Sequence, residues 1–160
     1  MSIYAVIEIF RFKKLNELSY LFYVKAILLF VGFLGAEVAL GTGENAEHLL
    51  NNPSLRTLIN THSNYAGIAT FIFGVLSVIY IVLWISKTSL WTKLTLNEST
   101  KTISAKILSL AELFYKNIVP LLAILGLIAI TITGGLGGAI VYGKDIDPIV
   151  NFIYRITVGQ

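Results

Sequence analysis

YAGIATFIFGVLSVIYIVLWI, from Tyr65 to Ile85, carries neither a charged residue nor a proline. A helix rises about 1.5 Å per residue, so some twenty apolar residues cover the roughly 30 Å hydrocarbon core of a bilayer. This stretch therefore reads as a membrane span. Two further apolar blocks, Tyr20 to Gly41 and Ile118 to Tyr142, have the same reach. Lipid offers no partner to backbone N–H and C=O groups, so a segment that crosses it satisfies them as a helix or within a closed barrel. The expected fold is all-α: an integral membrane helical bundle with three transmembrane helices, near 20–41, 65–85 and 118–142, plus short interfacial N- and C-terminal segments. Residues 1–160 form one membrane domain on this reading.

Composition agrees. Of 160 residues 56% are hydrophobic and 13% charged, which leaves no room for a separate soluble catalytic domain. The net charge of +3 does not point to nucleic acid, because the basic residues are spread out and gather only beside the spans. There is no cysteine, which excludes disulfides, thiolate metal sites, iron–sulfur ligation and covalent c-type haem. No cleavable signal pattern opens the chain, since Glu8 and Arg11 interrupt a short apolar stretch. The first span is expected to act as the insertion signal.

Arg11, Lys13 and Lys14 precede the first span, and Lys25 stands just inside it. The segment between spans one and two has Arg56 against Glu44 and Glu47, whereas Lys87, Lys93, Lys101, Lys106 and Lys116 fall between spans two and three. By the positive-inside rule the N-terminus is inside and the C-terminus outside. Trp84 and Trp91 near the inner end of the second span suit the headgroup region. Residues 1–12 are too short to span, so they are expected to lie in the inner interface or extend the first helix. Ile103, Ile107, Leu110, Ala111 and Phe114 recur at helical spacing, so the third helix begins well before the membrane, with Pro120 bending it at entry. Pro148 to Tyr154 is apolar beyond the last span and suits the outer interface or a partner.

Few residues could carry chemistry. Gly134, Gly135, Gly137 and Gly138 crowd the end of the third span. They admit two readings: close helix packing through Gly134 and Gly138, or space cleared for a flat ligand such as haem or a quinone ring. His48 and His62 are the only histidines, hence with Met1 the candidate axial ligands, with residues 49–60 folding as an outer hairpin that brings the two histidines together. Alternatively His62 belongs to a polar helix cap among Thr61, Ser63 and Asn64. Glu37 lies in an apolar run, where a carboxylate costs about 2.5–3.5 kcal/mol at mid-depth, so it faces the bundle, a cavity or a partner unless the register sets it near the outer headgroups. Glu37, Glu44, Glu47, His48 and His62 also admit a divalent cation, with solvated loop charges as the plainer reading.

The run Thr61-His62-Ser63-Asn64-Tyr65-Ala66-Gly67-Ile68-Ala69-Thr70 and the run Thr133-Gly134-Gly135-Leu136-Gly137-Gly138-Ala139-Ile140-Val141-Tyr142-Gly143 together resemble domain-of-unknown-function family 2231, small bacterial membrane proteins of about four helices. His62 matches that family's first histidine, while Gly135 stands where its second would be, and the family's opening helix is missing or reduced to residues 1–12. The likeness covers roughly residues 30–143. Some family members are joined to cytochrome c-type modules. The resemblance therefore implies membrane redox work, as a haem-binding anchor in a bacterial cytoplasmic membrane.

No Ser–His–carboxylate constellation, paired acids, phosphate loop or zinc pattern is present, so an enzyme in its own right is not expected. Three functions remain. One is a small subunit or anchor of a redox-linked membrane complex, touching b-type haem or quinone through His62, His48, Gly134, Gly135 and Gly138 at the outer side. Another is a non-catalytic accessory subunit, and the third an oligomeric transporter or channel lined by Glu37. The expected partners are the lipid bilayer and other membrane subunits or a second copy of the chain.

Overall fold

The computed structural model describes residues 1–10, 19–49, 53, 55–96 and 98–159, and among them forms helices and no strand. The helices are α1 (Ser2–Phe10), α2 (Ser19–Leu49), α3 (Arg56–Ile85), α4 (Ser89–Leu94), α5 (Glu98–Asn117), α6 (Val119–Tyr142) and α7 (Pro148–Thr157). Three of these are long and apolar enough to cross a membrane: Tyr20–Gly43 within α2, all of α3, and all of α6, with mean hydropathies of 1.9, 2.6 and 2.3. The three-span helical bundle expected from sequence is the fold.

The outer loop expected between the first two spans is mostly helix. α2 runs on to Leu49 and α3 already begins at Arg56, and the middle of the hairpin expected over residues 49–60 lies outside the described residues. Nothing breaks either extension, and Thr61 returns its hydroxyl to the carbonyl of Thr57 at 2.8 Å, a bond that lets a polar residue sit inside a helix. At the other end of the bundle α5 and α6 are separate helices. Ile118 forms the joint, and Pro120 in the first turn of α6 has no N–H to continue the ladder.

α6 packs most heavily on α3, and α2 packs on α3 next most heavily. Phe73, Leu76 and Tyr80 of α3, Leu29 of α2, and Val119 and Ala123 of α6 meet in the main core. A β-carbon at Gly126 would lie 2.9 Å from the Phe73 ring, so glycine is what lets α6 close on α3 there.

The two flanking helices each turn back along a span. Met1 lies against Gly32 and Glu8 against Lys25, so α1 runs antiparallel to α2 inside the bundle instead of extending it or lying flat at an interface. Tyr4, Ala5 and Glu8 are fully buried, and the Tyr4 ring meets Phe73 and Tyr80 edge-on. α7 returns along the end of α6, seating Ile153 on Gly135 and Val150 on Gly138 while Ile149, Phe152 and Ile156 face outward. Asp147 caps it, accepting from the N–H groups of Ile149 and Val150. Of the apolar face expected on α5, only Ala111 is buried. Ile103, Ile107, Leu110 and Phe114 are exposed, because α5 turns Leu108 and Tyr115 inward.

Candidate functional site

Two polar places are enclosed by this apolar bundle. The first is an ion pair: Lys25 Nζ donates to Glu8 Oε2 at 2.8 Å, with both side chains almost wholly buried. Tyr80 donates its hydroxyl to the same oxygen at 2.8 Å, and Lys25 also reaches the Tyr115 hydroxyl at 3.5 Å. The ammonium sits 5.8 Å from the centres of both the Tyr80 and Tyr115 rings, a distance at which their π-faces stabilise a cation. Removing two charges from water is costly, and the cost is offset only where the pair is close and its remaining atoms are bonded. Those conditions hold here. One residue each from α1, α2, α3 and α5 meets at this point, so the cluster fixes how α1 enters the bundle. Sequence reading took Lys25 for a marker of the membrane edge and Glu8 for an interruption in a signal-like stretch. The signal available was an acid and a base in apolar runs 17 positions apart.

The second place surrounds His62. This residue is two turns inside α3 and so does not cap it; it crosses to α6, where Nδ1 lies 3.0 Å from the carbonyl oxygen of Thr133. A carbonyl only accepts, so Nδ1 is the protonated nitrogen and donates. That bond sets the ring's orientation and, in the neutral imidazole, leaves Nε2 as a lone pair. Beside the ring is a cavity of about 380 Å³. α2 contributes Ala36, Ala39 and Gly43 to its wall, α3 contributes Ser63, Ala66 and Thr70 besides His62, and Met1 lies at one end. A few polar groups on a mostly apolar wall, at this volume, is the usual make-up of a small-molecule site. Thr70 is only 6% exposed, and its hydroxyl makes no hydrogen bond among the described residues, in contrast to the back-bonded Thr61, Thr131 and Thr133.

Among the described residues expected at a ligand site, His62 lines this cavity together with Met1. Gly135 and Gly138 are occupied by Ile153 and Val150, and a β-carbon at Gly134 would meet nothing within 4 Å. The close packing expected of Gly134 and Gly138 thus belongs to Gly135 and Gly138, and their partner is α7. Gly137, the remaining member of the run, adjoins the imidazole, with its β-position 3.3 Å from His62 Cε1. Glu37 is exposed on the outer face of α2 and does not turn into the bundle or the cavity. The side chains of Glu44, Glu47 and His48, and residues Arg11, Lys13 and Lys14, lie outside the described residues. Among the described residues no group of three acidic or histidine side chains could hold a metal ion.

The chain matches no family model, no curated protein and no solved structure.

Proposed function

We propose that this chain is a small subunit of a larger membrane assembly that binds a flat ring cofactor, haem or quinone, in the cavity beside His62. The observation that carries this reading is the imidazole of a cavity-lining histidine held through Nδ1 by Thr133, in a mostly apolar wall. Histidines that ligate a metal or bond a ring oxygen are held in this way, one nitrogen tied to a carbonyl and the other committed to the ligand. The likeness of Thr61–Thr70 to family 2231 supports the same residue, since His62 is the histidine the two share. On this reading the N-terminus lies inside, the C-terminus outside, and the membrane is a bacterial cytoplasmic membrane.

A specific observation favours assembly with another subunit. Glu37 is exposed on a span, six residues before the end of the apolar stretch, or about 9 Å along the helix. Ionisable side chains at that depth almost always face protein or water. A neighbouring membrane helix, from another subunit or a second copy, supplies that environment.

The test is the gently solubilised protein, examined by oxidised and dithionite-reduced absorption spectra and by quinone content of an organic extract, with His62→Ala alongside. Stoichiometric haem or quinone, lost in the variant, is the expected result. A protein without either at full yield from its native membrane would overturn the ligand reading and leave a structural subunit. Cross-linking from position 37 then tests assembly separately.

A further inference from the structure

We infer that the cavity takes the head of a para-hydroquinone end to end, His62 Nε2 accepting from one hydroxyl and Thr70 donating to the other, and that it prefers this reduced ring to the oxidised quinone. The inference rests on the ligand reading above and narrows it to one chemical class.

Three observations point the same way. The first is protonation. With its Nδ1 proton committed to Thr133, a neutral His62 offers a lone pair. A quinone oxygen is also an acceptor, so the two repel, whereas a hydroquinone hydroxyl donates to it. The second is length. His62 and Thr70 line the same face of α3, and eight residues at 1.5 Å place them about 12 Å apart along the axis. Two side chains anchored that far apart on one helix leave room between them for a single six-membered ring with a hydrogen bond of about 2.8 Å at each end. Oxygens at opposite corners of a six-membered ring are about 5.5 Å apart, by ordinary bond lengths.

The third is an unpartnered hydroxyl. Thr70, a residue only 6% exposed, carries a hydroxyl with no hydrogen bond among the described residues, and Met1, just before α1, lies in the same wall. The first N–H groups of a helix have no partner within it and favour an electron-rich oxygen. The wall from α2, Ala36, Ala39, Leu40 and Gly43, is apolar and brings no side-chain ligand for a haem iron. Hydroquinone chemistry therefore engages both His62 and Thr70, whereas haem leaves the Thr70 hydroxyl without a partner.

The experiment measures binding of a decyl-substituted 1,4-benzohydroquinone, its benzoquinone and the matching 1,3-dihydroxybenzene to the whole chain. It is done anaerobically in nanodiscs of phosphatidylethanolamine and phosphatidylglycerol, by quenching of intrinsic fluorescence. The expected order is hydroquinone tighter than quinone by about tenfold, as for one hydrogen bond gained and one repulsion avoided, with the 1,3 isomer weaker than the 1,4. His62→Phe removes the preference for the reduced ring, Thr70→Val weakens both forms, and Thr70→Ser restores binding. Equal binding of quinone and hydroquinone, or of the two isomers, would overturn the inference while the ligand reading stands, and neither comparison needs a variant. Haem in the purified protein with no affinity for either ring would have the same effect. Absence of all three ligands would remove both.

Discussion

Glu8 and Lys25 place a carboxylate and an ammonium where neither meets lipid or water, and the Tyr80 hydroxyl completes the oxygen they share. Removing one partner of such a pair leaves the other charged and unmatched, at a cost of about 3–5 kcal/mol, whereas replacing both by apolar groups of similar size is close to neutral. Glu8→Leu and Lys25→Met should each lower the unfolding temperature in detergent sharply, and the double variant should recover much of the loss. A double variant as unstable as the sum of the two would show that the charges stabilise the bundle beyond matching one another. The pairing was not legible in the sequence, because it depends on α1 reversing direction. No hydrophobic period links position 8 to position 25. His62, in contrast, stood out from the sequence because the chain has only two histidines. Its bond to Thr133 spans 71 positions and needed the fold to reveal it.

The spans were legible because length and hydropathy are properties of continuous segments, and lipid admits few other solutions. The ends of α2 and α3 were not, since polar residues such as Thr57, Thr61 and Asn64 extend a helix as readily as they form a loop once nothing breaks it. The glycine run of α6 shows the same limit. Its composition announced close contact, but which glycine meets which partner depends on α7 folding back. Gly135 is the tight position: a β-carbon there would lie 2.5 Å from Ile153 Cδ1 and 3.2 Å from Ile153 Cβ. Gly135→Val should therefore displace α7, at a cost of about 1–3 kcal/mol. Hydrogen exchange would read this as lost protection over residues 148–157 with α2 and α3 unchanged. Gly134→Val, where space is open, is the matched control and should leave α7 protected.

Taken whole, the molecule is three spans with a short helix folded back at each end, and its topology can be read with cysteines because it has none of its own. On the orientation proposed above, single cysteines at Ser89 and Thr102 should react with an impermeant maleimide only from the cytoplasmic side, and one at Lys144 only from the opposite side. Labelling of Ser89 and Lys144 from the same face would overturn the three-span topology. The placement of α1 also carries a consequence for how the protein comes into being. Its buried face is completed by Tyr80 of α3 and by α6, which packs on it more than its neighbour in sequence does. Such distant contacts cannot form until the intervening chain exists. α1 thus leaves the ribosome before the helices that enclose it, and it reaches its final place only once α6 has followed them into the bundle.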